Sequence, residues 1–168
     1  NFFKKASLAN DKNALLAALV QTTANFNLQV AAQIRHNGET TTLNSQGRSS
    51  PLDAHMLQPL AQDPQRIYEM GKRLIINFPR IILQIKAMPI EQPDLWGRLR
   101  DHVAILVEAA ETRFDGLLNE EQIRGQQALT LNAISLIQTS IQKLEEEYRE
   151  QAGSSIRLFN ELQYQFEQ

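Results

Sequence analysis

The chain has 168 residues, 42% of them hydrophobic and 21% charged, with a formal net charge of −2 and no cysteine. This is the composition of a globular domain able to bury a core, and it excludes disulfides and thiolate metal sites. A near-neutral balance also gives no general electrostatic reason to bind nucleic acid or an anionic membrane.

Charge is uneven along the chain. Residues 1–50 carry five Lys/Arg against two Asp/Glu, and residues 119–168 carry four against eight. Solvated helix faces account for both ends. Aromatics make up 7% of the chain, while Ala, Leu, Ile and Gln are plentiful. Such residues lose little rotamer freedom in a helix, so the composition favours an all-α fold.

In chain order, Leu15, Leu19, Thr23, Phe26, Val30 and Ile34 recur at steps of three or four. That period predicts a helix from about residue 10 to 37, capped by Asn10 and stopped at Asn37-Gly38. Residues 38–50 read as a polar loop, more easily disordered than functional, with the Thr run as a short extended piece at most. Ser50-Pro51-Leu52-Asp53 is a helix start, with a hydroxyl cap, a proline where no N–H is needed and an early acid.

Asp63-Pro64 repeats that start signal after a break near residue 62. Ile67, Met70, Leu74, Phe78, Ile82 and Ile85 then predict a helix over 64–88, kinked at Pro79. Prolines 89 and 93 form a rigid connector. A third main helix begins near Pro93-Asp94, with Leu95, Leu99, His102, Leu106, Ala110 and Leu117 on its buried side. Asp115-Gly116 and Asn119-Glu120-Glu121 suggest a turn and a new start.

The last segment is the most regular. Ile134, Ile137, Ile141, Leu144, Tyr148, Ala152, Ser155, Phe159, Leu162 and Phe166 follow one another at steps of three and four, a heptad-type seam. The seam keeps its place across Gly153-Ser154-Ser155, which argues for one helix with a soft spot. Residues 119–168 would then reach roughly 70 Å. The expected architecture is an antiparallel helical bundle of four to five helices. Residues 1–118 form its first helices, and 119–168 complete it as a long C-terminal helix, all in one domain. Asn1 and Gln168 read as cut points in a longer protein.

No residue pattern supports catalysis. His36, His55 and His102 fall on different predicted helices without a second ligand one turn away, so no metal site is expected. There is no Gly-x-Ser-x-Gly elbow and no phosphate-cradling glycine pattern. Glu108, Glu111 and Glu145 to Glu147 read as solvated helix faces. Arg66, Lys72, Arg73 and Arg80 read as plain surface charge rather than a nucleic-acid stripe. His102 reads as a half-buried structural histidine. No cofactor is expected.

The reading that follows is a non-catalytic regulatory or sensory helical-bundle module of a larger, bacterial signalling protein. A packing change would pass through its C-terminal helix to an output domain. Tyr148, Phe159, Leu162 and Phe166 are its interaction seam, for a protein partner or a second copy. No nucleic acid and no membrane insertion are expected, and a cytoplasmic location is favoured. One alternative is a ligand-binding four-helix-bundle sensor, extracytoplasmic, with a pocket at Phe78, Trp96 and His102. Another is a structural adaptor bundle.

Overall fold

The computed structural model describes residues 2–166, the side chain of Phe166 excepted. Contacts divide the chain into two units, Asn1–Glu120 and Glu121–Gln168. The first unit contains a five-stranded antiparallel sheet, which overturns the all-α helical bundle.

Element order is α1 (Phe2–Leu8), α2 (Lys12–Ala24), β1 (Val30–His36), β2 (Glu39–Asn44), α3 (Pro51–Leu57), a 3-10 helix (Gln58–Gln62), β3 (Ile67–Met70), β4 (Arg73–Asn77), β5 (Ile81–Ile85) and α4 (Pro93–Phe166). The strands run β2-β1-β5-β4-β3 across the sheet. The chain therefore leaves β2 at one edge, passes over the sheet as α3 and the 3-10 helix, and re-enters as β3 at the other edge.

Two predicted helices give way to strands, the first of them only in its C-terminal part. The first helix is capped by Asp11, not Asn10, whose carboxylate accepts from the Ala14 N–H at 2.8 Å. It ends at Ala24, and Asn27 takes a left-handed φ of 61° before the chain enters β1. Asn37-Gly38 is a hairpin tip rather than a helix stop. Both residues have positive φ, 51° and 79°, as a two-residue turn of the type I′ kind requires. The supposed disordered loop becomes β2, paired to β1 from Ala31↔Asn44 to His36↔Glu39.

The kinked helix over 64–88 is β3, β4 and β5. Pro79 sits in the β4–β5 turn, where the Phe78 N–H donates to the Ile81 carbonyl at 2.9 Å. A proline fixes φ there and removes no ladder bond. Ser50-Pro51 does start a helix: the Ser50 hydroxyl accepts from the Asp53 N–H at 3.3 Å. The break near residue 62 is real as well, as the end of the 3-10 helix. The turn expected at 115–121 is absent, because α4 runs through it.

The main core lies on one sheet face. Val30, Ala32 and Ile34 of β1, Leu74 and Ile76 of β4, and Ile81, Leu83 and Ile85 of β5 point to it. Leu15 and Leu19 of α2 cover it, together with Leu99, Val103, Val107, Ala110 and Phe114 of α4. The opposite face, under α3 and the 3-10 helix, holds only a small apolar cluster of Leu57, Ile75 and Ile82, flanked by Leu60 and Tyr68. Most of its other residues are polar, and that difference matters below.

Candidate functional site

Two regions carry the functional reading: the exposed helix of the second unit and the polar face of the sheet in the first.

From Asn119 to Gln165 every residue is exposed. The seam read from the sequence is therefore uncovered in the structure. Ile134 is 46% exposed, Ile141 50%, Leu144 64%, Tyr148 74% and Phe159 67%. Leu162 is exposed too, and the Phe166 side chain lies outside the described residues. Helical spacing puts Ile134, Ile137, Ile141, Leu144 and Tyr148 on one stripe, with Ile123 in line about three turns earlier. Leu144, Tyr148 and Ala152 are separated by two successive steps of four. That is a stutter, a local unwinding that shifts the heptad register before Phe159 and Leu162. The helix is unbroken at Gly153.

The α3-facing side of the sheet is built from alternate residues: Gln33 and Arg35 of β1, Thr40 and Thr42 of β2, Gln84 of β5 and Asn77 of β4. Gln33 donates to the Thr42 hydroxyl at 3.0 Å. Arg35 Nη2 donates to Asn77 Oδ1 at 2.9 Å and to the Phe78 carbonyl at 2.7 Å. Asn77 in turn donates to the carbonyls of Leu60 and Asp63, which ties the 3-10 cover to the sheet. Burial pulls the Arg35 guanidinium below the usual arginine value, and the Glu111 charge opposes that. Gln33 Oε1, Gln84 Oε1, Asp53 Oδ2 and Arg35 Nε and Nη1 are buried without a partner. Buried polar atoms are ordinarily paired, so such a concentration on one face needs an explanation.

The pocket expected at Phe78, Trp96 and His102 rests on three residues set in different surroundings. Phe78 packs at the β4–β5 turn with the Arg66 guanidinium 5.1 Å from its ring centre. Trp96 lies in the first turn of α4, under Arg100. His102 is exposed, and its Nδ1 is 2.6 Å from the Arg98 carbonyl of its own helix. His36 stacks edge-on against Phe114 at 5.8 Å, a packing role. Glu111, read as a solvated carboxylate, is 8% exposed and grips the β4–β5 turn.

Among the described residues no three of His, Asp and Glu converge as a metal site would require, and no helix is long and apolar enough to cross a membrane. Comparison with protein-family models, with curated proteins and with solved structures finds no match to this chain.

Proposed function

We propose that this chain is a non-catalytic regulatory module that self-associates through residues 121–165 of α4. A packing change in the sheet unit would pass to that association through the helix the two units share. The observation that carries the reading is the apolar stripe left uncovered on α4 from Ile134 to Tyr148, taken up again at Phe159 and Leu162. Isolated apolar residues on a surface need no explanation, but a stripe repeated over several turns marks a contact.

A second copy fits the stripe better than an arbitrary partner. With Ile134, Ile141 and Tyr148 at the first core position and Ile137 and Leu144 at the second, a parallel in-register pair sets Ala133 opposite Gln138. Ser140 then faces Glu145, and Glu147 faces Ala152. No like charges meet. Half-burying five such side chains per chain contributes on the order of 10 kcal/mol to the pair. The loss of rotational and translational freedom costs about 4–15 kcal/mol. The balance predicts reversible, concentration-dependent association.

Sedimentation equilibrium of the chain tests this. The wild type should associate below roughly 100 μM, and Ile141→Asp with Leu144→Asp should sediment as a monomer with the sheet unit still folded. A wild type that stays monomeric at that concentration removes the proposal.

A further inference from the structure

The unpaired atoms of the polar sheet face are shielded from solvent, so an incoming ligand does not meet them, and the surface open to a partner is that of α4. Residues 125–142 of this helix hold no charged side chain. Beside the seam of Ile134, Ile137 and Ile141, the stretch carries a second line, Leu129, Ala133, Leu136 and Ser140, at steps of four, three and four. Leu129 is 71% exposed and Leu136 69%. At 3.6 residues per turn the two lines lie about 100° apart around the helix axis. A parallel pair buries the first line of each helix and leaves the second open. Two lines near a right angle are what each helix of a square four-helix bundle presents to its neighbours.

The second line is complementary to its own copy running the other way. Paired antiparallel about a point between Ile134 and Ser135, Leu129 faces Ser140 and Leu136 faces Ala133, so each leucine meets a small residue. A slip of one heptad either way sets a leucine against Gln126 or Glu147. The same pairing brings Gln126 to Lys143 and Gln122 to Glu147, whereas a parallel one sets like charges together at both Lys143 and Glu147. The Ser140 hydroxyl already donates to the Leu136 carbonyl of its own helix at 2.9 Å, so it enters the contact without an unpaired donor.

We infer that two parallel pairs pack antiparallel through this second line, forming a closed four-chain bundle over residues 122–147. The antiparallel arrangement covers the open line on all four helices at once. The inference rests on the pairing of α4 proposed above, and it adds the second partner surface and the direction in which that partner runs.

Sedimentation equilibrium over about 1–1,000 μM tests it. The wild type should pass from the pair to the mass of four chains. Leu129→Gln with Leu136→Gln should stop at the pair, with the sheet unit folded, because both leucines are exposed in the single chain. Direction is read by disulfide capture, since the chain has no native cysteine. Mild oxidation of an exchanged mixture of Leu129→Cys and Ser140→Cys chains should link one variant to the other. Each variant alone should stay unlinked, because identical positions then lie roughly 16 Å apart along the axis. The inference alone is overturned if the wild type stops at the pair, if the Leu129→Gln, Leu136→Gln chain still reaches four, or if two Leu129→Cys chains link to each other. A wild type that stays monomeric throughout removes the pairing and this inference together.

Discussion

Glu111 of α4 accepts a hydrogen bond from the backbone N–H of Ile81 at 2.8 Å, and its two oxygens also take the Arg80 N–H at 3.0 and 3.2 Å. One carboxylate thereby satisfies both donors of the tight turn that Pro79 opens, and it docks the helix on the end of the β4–β5 hairpin. The Arg80 guanidinium pairs with Asp115 one turn further on, which strengthens the same junction. Glu111→Ala would leave two shielded N–H groups without acceptors and should cost about 2–4 kcal/mol in urea unfolding of the sheet unit. Glu111→Gln keeps one acceptor and should cost less.

Acid titration of the same residue gives a separate prediction. Burial raises the Glu111 carboxyl above its usual value, against the opposing pull of the two N–H groups and of the Arg80 and Arg35 charges. A carboxyl with a raised folded pKa contributes stability below its unfolded value near 4.5, and that contribution is lost as pH rises through the folded value. The stability difference between wild type and Glu111→Gln should therefore shift toward the variant as pH rises from about 4.5. A difference flat in pH would show that the bonds to Arg80 and Ile81 offset burial, and a shift toward the wild type that they outweigh it.

At alkaline pH the responsible group is Tyr68. Burial of its hydroxyl, with the Asp63 carboxylate beside it, pushes its pKa from 10 up to about 12. The neutral phenol is the form the fold holds, so stability is intact below pH 10 and declines as pH rises toward 12. Tyr68→Phe should remove that decline. Denaturation curves at successive pH values would show it, and an unchanged alkaline slope in the variant would assign the loss to another group.

The hairpin tip offers a local test of the sheet. Asn37 and Gly38 both need positive φ, which asparagine tolerates and β-branched residues do not. Asn37→Gly should be neutral within about 0.5 kcal/mol, whereas Asn37→Val should cost about 1–2 kcal/mol. Thermal unfolding of the two variants measures both. If they unfold together, the tip does not hold that turn.

How much of this was legible follows from where the strands lie. In β1 the run Val30 to Ile34 is buried on both faces, as are Leu74 to Asn77 and Ile81 to Ile85. A strand covered on both sides shows no alternation, so helical spacing can be drawn through it by chance. Two signals pointed the other way. Ile75, Ile76, Ile81, Ile82 and Ile85 are β-branched and crowd about one proline, and Asn37-Gly38 stands before a Thr run, a hairpin pattern. Helix starts at Ser50 and Pro93 were readable because capping is local chemistry. The exposed seam of α4 was readable for the same reason, since its period needs no partner to be seen. Arg35 was not, because its role depends on Asn77 and the 3-10 helix, which are distant in sequence.

Gly153 tests the register of that seam. It lies within the continuous helix, and a Cβ added there would meet nothing within 4 Å. Helix propensity alone then makes Gly153→Ala favourable by roughly 0.5–1 kcal/mol per chain. In the parallel pair residue 153 follows Ala152 on the outer side of the seam, so the new methyl stays clear of the partner. If the helix orders further on pairing, the gain counts once for each chain and association tightens by up to about thirtyfold. Sedimentation and far-ultraviolet circular dichroism of the variant would record tighter association and greater helicity. Weaker association would place residue 153 inside the contact and shift the register past the stutter at Leu144 to Ala152.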